Sequence, residues 1–483
     1  MIITTILLLL LPGNYLTAKE LTREEVLAAM KKANVFMMEK VSNHGGFVWK
    51  YKDDLSEQWG EIPARKSQIW VQPPGTASVG MVLLEAYKIS KDPQYLKYSE
   101  KCANALIYGQ HPEGGWHYFI DFDPQGINKY YEEIASNCWG FEEYYHYYGN
   151  CTYDDEVHTS STRFLMDMYL TTLDPKYKVA LDKALNFILK SQFNNGAWPQ
   201  RYPLFDDYTS YYTFNDNVIP GNIYLLLEAY KKLGVKEFKE AALRGMDFVL
   251  ISQQPFPQAG WTQQFDYNIK PVKARNYEPA SVESGQTTIC IRHLQNFYKI
   301  TGDNKYLRGI PDAIKWLESS QINEDPEQKH NGRSYTHARF YEVGTNKPLY
   351  VHREGTSKKN GRYWVDYEFG NFPGHYGMLV NINIDAIKNE FERFHALSPE
   401  QALEEYEKEK INRLETVSSL RIEEIIDGMN EQGAWLEDFF VIYYPNFKDR
   451  AKGKNIRGIT TRTYSDNMKA MINYLKTSEK PIW

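Results

Sequence analysis

The sequence predicts a mainly α-helical fold, an incomplete α/α toroid built from helical hairpin repeats and joined by irregular, loop-rich regions. Four segments share one template, in which a helix ends on a tyrosine, an aromatic residue follows after eight positions, and a glutamine stands twenty-three positions after the tyrosine. The residues are Tyr87, Tyr169, Tyr230 and Tyr298, then Tyr95, Tyr177, Phe238 and Tyr306, then Gln110, Gln192, Gln253 and Gln321. Apolar residues inside each segment follow helical spacing, and Asp-Pro turns separate the two helices of the first two units.

Each unit is therefore an antiparallel helix pair, which cannot bury its own apolar faces and must stack on its neighbours. The stacked pairs can close into an α/α toroid or continue as an open solenoid, and either arrangement places all the junctions from one pair to the next at the same end. The first three glutamines are followed by Gly-Trp or Ala-Trp, with the tryptophans at 116, 198 and 261. Trp198 lies in residues 191–217, a junction rich in aromatics that suits a sugar-binding loop, although tryptophans repeated in this way can equally fill the core. The first interval between the tyrosines is the longest and predicts an insertion over residues 117–156.

Composition limits the class of partner. The 483-residue chain has a formal net charge of −6 with mixed signs, which argues against a nucleic-acid partner. Aromatic residues make up 15% of the chain, which favours a glycan partner because ring faces stack on sugars. Of the four cysteines, Cys138 and Cys151 can close a small loop, but four free buried thiols fit the sequence equally well, and no CxxC motif indicates a zinc site.

The N-terminus reads as a signal peptide over residues 1–18, because an apolar run precedes a small-residue site at Ala18. That run is too short to span a bilayer, and no later segment is apolar enough. We therefore expect a secreted or periplasmic protein, monomeric and without a membrane span. The predicted domains are a toroid over residues 19–380 and a helical C-terminal extension over 381–483, packed on the same domain.

Acidic residues precede the first helix of successive pairs. Asp154 and Asp155 stand before the second pair, and Asp216 stands before the third. Asp and Asn at such positions are ordinary helix N-caps. If the junctions meet at one end of a ring, however, these carboxylates can converge on a hard cation, which takes carboxylate and amide oxygens. Arginines beside such a cation suit an anionic sugar, since guanidinium pairs with carboxylate in bidentate fashion.

Four stretches carry a family resemblance: residues 195–203 (NGAWPQRYP), 213–217 (TFNDN), 260–279 (GWTQQFDYNIKPVKARNYEP) and 339–355 (RFYEVGTNKPLYVHREG). As an ordered set they resemble the family 10 polysaccharide lyases, which are pectate lyases with an α/α toroidal fold. The resemblance covers residues 75–377. It implies calcium-dependent β-elimination on polygalacturonate, in which calcium bridges protein carboxylates and the substrate uronate.

The resemblance also implies site residues. The catalytic residues are then Arg353 and Asp154. The resemblance places calcium on Asp154 and Asp216, and we expect the adjacent carboxylate of Asp155 to join them. It places the substrate, an acidic polysaccharide, against Arg339 and Arg275, and we expect Trp198 and Arg201 of the aromatic junction to bind it as well.

Two departures from the family pattern bear on activity. The stretch His352-Arg353-Glu354-Gly355 replaces Gly-Arg-Asp-Gly, and Asp155 stands where the family has Asn. Two other functions stay open from the sequence: a uronide-active hydrolase on the same fold, using Asp154 and Asp216 as its carboxyl pair, and a pectic glycan-binding protein that lacks catalysis.

Overall fold

A computed structural model describes residues 21–135, 138, 142–144, 146–322, 329–330, 332–354, 362–373, 376–411, 416–441 and 453–478. The predicted signal peptide lies outside the described residues. The helices are α1 (Arg23–Phe36), α2 (Thr76–Ser90), α3 (Pro93–Tyr108), α4 (Ile127–Glu133), α5 (Val157–Thr172), α6 (Pro175–Ser191), α7 (Val218–Leu233), α8 (Lys236–Ile251), α9 (Ser284–Thr301), α10 (Ile310–Ser319), α11 (Ile384–Ala396), α12 (Pro399–Ile411), α13 (Ser419–Asp427) and α14 (Thr461–Ser478).

The predicted hairpins are α2 with α3, α5 with α6, α7 with α8, and α9 with α10. Their first helices pack side by side in chain order, α5 against α2 and against α7, and α7 reaches α9 through a hydrogen bond from Tyr224 to His293. At the hairpin turns, Asp92 and Asp174 accept the backbone N–H two residues on, and Pro93 and Pro175 open the second helix. The prediction of a mainly α-helical toroid of hairpins is confirmed.

The repeated glutamines and tryptophans are the joints between hairpins. The side-chain amide of Gln192 donates to Gly196 O in its own turn and to Ala241 O on α8, and Gln110 and Gln253 bond in the same way to Ala180 O and Gly309 O. Gly196 has a positive φ of 96°, and a Cβ there would lie 2.0 Å from Arg244 O, so only glycine allows this close approach. The template is thus set by packing between neighbouring units.

The helices at the two ends of the chain, α1 and α14, pack against each other. Helix α14 packs on both α1 and α2, and Trp435, after α13, donates to Ile425 O as the other junction tryptophans donate to their own helices. Gly433 packs on Lys32 O of α1, as Gly45, after α1, packs on Lys101 O of α3. The C-terminal residues therefore share the ring with the N-terminal helix, while the predicted domain boundary at residue 380 stays a prediction.

Short strands fix the junctions at one end of the ring. The strands are β1 (Lys50–Lys52), β2 (Gln58–Trp59), β3 (Gln68–Trp70), β4 (Phe119–Asp121), β5 (Cys151–Thr152), β6 (Arg201–Tyr202), β7 (Tyr212–Thr213), β8 (Gln264–Phe265), β9 (Val282–Glu283), β10 (His337–Ala338), β11 (Phe340–Tyr341), β12 (Pro348–Glu354), β13 (Arg362–Asp366), β14 (Leu379–Val380), β15 (Glu437–Val441) and β16 (Lys454–Thr460). Antiparallel ladders join β3 to β4, β5 to β6 and β7 to β8, each linking successive junctions. Two four-stranded sheets have the orders β13-β12-β11-β9 and β15-β16-β1-β2.

Two further findings concern the cysteines and the apolar character of the helices. All four cysteines are free and buried, so Cys138 and Cys151 form no disulfide. Among the described helices, none has the length and apolar character needed to cross a membrane.

Candidate functional site

Two matching turns face each other where α5 and α7 begin. Residues 154–156 and 215–217 each form one 3-10 turn, and each turn contains two non-glycine residues in the left-handed region. These are Asp155 and Glu156 in the first turn, with φ of 47° and 61°, and Asp216 and Asn217 in the second, with φ of 51° and 63°. Such backbone is costly for residues other than glycine and clusters at functional sites. Neither turn places a side-chain cap on its helix, so N-capping does not explain these acidic residues.

Among the acidic residues of the two turns, Asp154 is the one that is buried. It is 2% exposed, and its Oδ2 accepts a hydrogen bond of 2.5 Å from the Tyr118 hydroxyl, whereas its Oδ1 accepts none from the N–H and O–H groups of the described residues. Burial favours the neutral acid, but hydrogen bonding with the Asp216 carboxyl, the charge of Arg275 and the Tyr118 hydroxyl outweigh it and lower the pKa of Asp154. Asp154 is therefore the ionised member of the pair.

Asp216 has the opposite tendency. It is half-buried, and its Oδ2 accepts a 3.0 Å bond from Arg275 Nη2. Burial and then the negative charge of Asp154 raise the pKa of Asp216 well above its usual range, despite Arg275. The pKa values of the two carboxyl groups are therefore shifted in opposite directions, and a cation bound between them would favour the ionised form of both.

Arg275 pairs with three acidic side chains, Glu143, Asp216 and Glu278, which together form the acidic cluster. Its Nε and Nη2 donate at 2.8 Å to the two oxygens of Glu278, its Nη2 also reaches Asp216, and its Nη1 is paired with Glu143 from the insertion. The Glu278 carboxylate also accepts from Asn215 and from the Tyr376 hydroxyl, both at 2.8 Å. That Arg275 binds the substrate stays a prediction; in the structure its guanidinium is buried and its nitrogens pair with protein carboxylates.

A second acidic pair lies beside the first. Gln72 Nε2 donates to Asp155 Oδ2 at 2.6 Å and to Glu61 Oε2 at 3.1 Å, so one amide bridges two carboxyls. Burial, together with the neighbouring carboxylates, raises the pKa of Asp155 to about 7 and that of Glu61 to about 8. The site thus gathers more carboxyl groups than its arginine can neutralise.

These turns open into a cleft of about 620 Å³. Its lining includes Asp155, Glu156, Asp216 and Asn217 on one side and Arg339 with Tyr376 on another. Arg339 keeps one quarter of its side chain exposed, pairs with Glu283 at 2.7 Å and stacks 4.3 Å from the centre of the Tyr376 ring. A cleft with carboxylates and a partly exposed arginine can hold a cation and an anionic sugar together.

Two other predicted substrate contacts lie in the core, so their part in substrate binding stays a prediction. Trp198 is fully buried, and its indole N–H donates to Ile188 O at 2.9 Å, which makes it a joint between hairpins. Arg201 is 1% exposed and sits between the rings of Tyr118 and Tyr148, at 5.0 and 4.3 Å from their centres. Arg201 therefore supports Tyr118, which in turn holds Asp154.

Arg353 lies on β12, two strands away from Glu283 in the same sheet. Side chains alternate along a strand, so Arg353 shares the face of Val351 and of its partner Tyr363, which packs on Tyr277 beside Arg275. Through Tyr363 and Tyr277, this face of the sheet lies toward Arg275 and its acidic partners. Arg353 is not among the described residues that line the cleft.

Several residues of the site escaped the sequence analysis. Glu278 was visible beside Arg275, and their separation of three residues suits the pairing observed. Glu61, Gln72 and Glu143 had no sequence pattern that linked them to the site, because they are distant from the two turns in the chain and are brought there by folding. Glu143 belongs to the predicted insertion.

The site was tested against the calcium ion that the resemblance implies. Within the described parts of the chain, no three His, Cys, Asp or Glu side chains are grouped so as to hold a metal by themselves. The donor chemistry nevertheless suits a hard cation, because carboxyl oxygens are in excess and Asp154 Oδ1 lacks a partner. A cation here would need further oxygens from another source, such as the carboxylate of an acidic sugar.

Comparison with known proteins gives one family and several distant structures. Residues 142–367 match the family model of pectic acid lyase. No curated protein matches the chain. The family 10 polysaccharide lyase from Cellvibrio cellulosa is 20% identical, and the match covers 66% of this chain and 98% of that one with a TM-score of 0.43. A variant of that lyase in complex with trigalacturonic acid is 19% identical, and the match covers 65% of this chain and 97% of that one with a TM-score of 0.42. A cellobiose 2-epimerase from Bacillus thermoamylovorans is 11% identical, covering 94% of this chain and all of its own, with a TM-score of 0.42.

The family match contains both acidic turns, Arg275, Arg339 and Arg353. It confirms the resemblance predicted from the sequence, and with it the prediction that the chain is a polysaccharide lyase of the pectate type.

Proposed function

We propose that this pectate-type lyase cleaves polygalacturonate by calcium-dependent β-elimination and releases unsaturated oligogalacturonides. The observation that carries the proposal is the pair of strained turns, 154–156 and 215–217, which bring surplus carboxyl groups to a cleft bordered by Arg339. Both turns and Arg339 fall inside the segment that matches the pectic acid lyases.

The reaction removes the proton on C5 of a uronate residue. The electron pair of that C–H bond forms a double bond between C4 and C5, and the bond from C4 to O4 breaks. O4 leaves with the rest of the polymer and takes up a proton from water. The step is neutral in oxidation, so it needs no redox partner, but negative charge develops beside the uronate carboxylate and must be stabilised.

Calcium, held by Asp154, Asp155 and Asp216 and shared with the uronate, would withdraw charge and acidify the C5 proton. The residues of the chain prepare this site. The Tyr118 hydroxyl, whose ring packs on Arg201, donates to Asp154. Arg275, itself held by Glu278, donates to Asp216. Both turns are therefore held by buried contacts before any ligand enters.

Arg339 is the substrate-binding arginine of this proposal. Its Nε is held by Glu283, its Nη1 donates to Gly377 O at 3.2 Å, and its plane lies on Tyr376. The remaining N–H groups at the exposed end of the guanidinium are proposed to meet the substrate. A uronate carboxylate is planar and accepts two parallel N–H bonds, so it suits this fork.

Arg353 is proposed as the catalytic arginine facing the C5 proton. A guanidinium normally stays protonated, so Arg353 stabilises the developing charge while hydroxide takes the proton. The strand alternation that turns it toward the acidic cluster supports this role. Secretion or periplasmic export, which suits a polymeric substrate, is part of the same proposal.

Incubation of the purified protein with polygalacturonate and calcium tests the function. An increase in ultraviolet absorbance, abolished by a chelator and restored by calcium, is the expected result. Saturated products that form despite the chelator would identify the hydrolase instead, and binding of oligogalacturonide without turnover would identify the glycan-binding protein.

A further inference from the structure

Part of the cleft lining comes from outside the segment that matches the lyase family. Trp49, before the first predicted hairpin, and Arg462, in the first turn of α14, both line the cleft that contains Asp155 and Asp216. They come from the two ends of the chain, and neither appears among the residues that the resemblance implied.

These two side chains are held together by backbone bonds. Trp49 O accepts from the N–H of Thr461 at 2.9 Å and from its hydroxyl at 3.1 Å, and Lys50 pairs with Thr460 in the β1–β16 ladder. The indole N–H of Trp49 donates to Gln72 O at 2.8 Å. Gln72 in turn donates its side-chain amide to Asp155, so one residue separates Trp49 from the acidic turns.

Arg462 differs from the other cleft arginine in its partners. Arg339 is paired with Glu283, whereas Arg462 is exposed and makes no hydrogen bond or ion pair with any residue that the structure describes. It also stands at the start of an eighteen-residue helix, where the helix dipole adds positive potential. A cation exposed in a cleft and not used by the fold is available to an anionic ligand.

We propose that Trp49 and Arg462 form a further subsite for one uronate unit of the polysaccharide. The face of the half-buried indole packs on the sugar ring, and the guanidinium pairs with the carboxylate of the same unit. The polymer then runs along the cleft from Arg339, past the acidic turns, to Arg462. This assignment rests on the proposed function, and it gives the chain ends a direct part in substrate binding.

Saturated oligogalacturonides of increasing length test the subsite, with affinity measured by calorimetry in the presence of calcium and cleavage measured separately. Arg462→Gln should weaken binding about tenfold, but only above the length at which the chain reaches this end of the cleft. Trp49→Leu should weaken the same oligomers. The matched control is Arg457→Gln, because Arg457 lies on β16 and pairs with Asp438 on the exposed surface, and it should bind all lengths as the wild type does.

The outcomes separate the subsite from the proposed function. If the wild type neither binds oligogalacturonides nor cleaves them, the proposed function fails. If the wild type does both but Arg462→Gln matches it at every length, the subsite is wrong and the function stands. A loss that is equal for the shortest and longest oligomers, or full recovery in Arg462→Lys, would also overturn the subsite, because either result indicates general charge attraction instead of pairing with one carboxylate.

Discussion

Replacing Arg275 by methionine should destabilise the protein before it affects any substrate contact. The guanidinium is buried and compensates Glu143, Asp216 and Glu278, so its removal leaves three carboxyl groups in the interior without a counter-charge. Removing one partner of a buried ion pair costs about 3–5 kcal/mol of unfolding free energy, and methionine retains the volume so that no large cavity adds to it. Denaturant unfolding followed by tryptophan fluorescence measures this loss directly.

The loss of unfolding free energy in Arg275→Met should also depend on pH. Burial raises the pKa of Glu278, but Arg275 more than offsets it, so the folded pKa lies below the usual value. A depressed carboxyl pKa contributes stability above the unfolded pKa and loses it as pH falls through the folded one. The difference between wild type and Arg275→Met should therefore narrow as pH falls below about 4, because Glu278 of the wild type becomes protonated as pH falls through its folded pKa and then gains nothing from Arg275.

A matched control is Arg457→Met, which removes an exposed arginine whose partner Asp438 is also exposed and should cost about 1 kcal/mol or less. The reasoning is refuted if Arg275→Met unfolds like this control while its affinity for oligogalacturonides collapses. That result would place Arg275 among the substrate-binding residues.

Other expected outcomes concern the cleft and the joints. Trp198→Ala should cost about 3–5 kcal/mol of stability, measured by denaturant unfolding, and Trp198→Phe should cost less because only the bond to Ile188 O and part of the ring are lost; a stable Trp198→Ala that binds poorly would contradict its place in the core. Arg339→Gln should raise KM for polygalacturonate about tenfold in steady-state kinetics, and it should also lower the unfolding free energy because the buried Glu283 loses its partner; an unchanged KM would remove Arg339 from substrate binding. Tyr118→Phe should lower activity by a smaller factor than Asp154→Asn, because it removes one hydrogen bond to the carboxylate and leaves the carboxylate itself; equal losses would show that the hydroxyl has a role of its own.

The sequence predicted those features that repeat. Tyr87 and its equivalents mark helix ends because successive hairpins are packed by the same contacts. Gln192 recurs because it ties each junction to the next outer helix, and Trp198 recurs because it ties the junction to the helix that precedes it. Periodicity of this kind is local in the chain and can be read without coordinates.

What the sequence could not predict depends on contacts between distant residues. Nothing local indicates that α14 pairs with α1, or that Trp49 meets Thr461 across most of the chain. Motif similarity also carried no information on burial. Trp198, Arg201 and Arg275 have residue types suited to sugars, yet the fold surrounds all three with protein groups. Asp154 and Asp216 were found because the junctions of a ring lie at one end, which is a geometric argument that needs no side-chain detail.

The central claim is that the two acidic turns hold the calcium that drives elimination. Its most direct test is the rate of unsaturated product formation as a function of calcium concentration, for the wild type and for Asp216→Asn. The account predicts saturation for the wild type and, for Asp216→Asn, a half-saturating calcium concentration raised by about tenfold or more, because one carboxylate ligand is lost. Identical calcium dependence in the two proteins, or wild-type activity that is insensitive to a chelator, would contradict it.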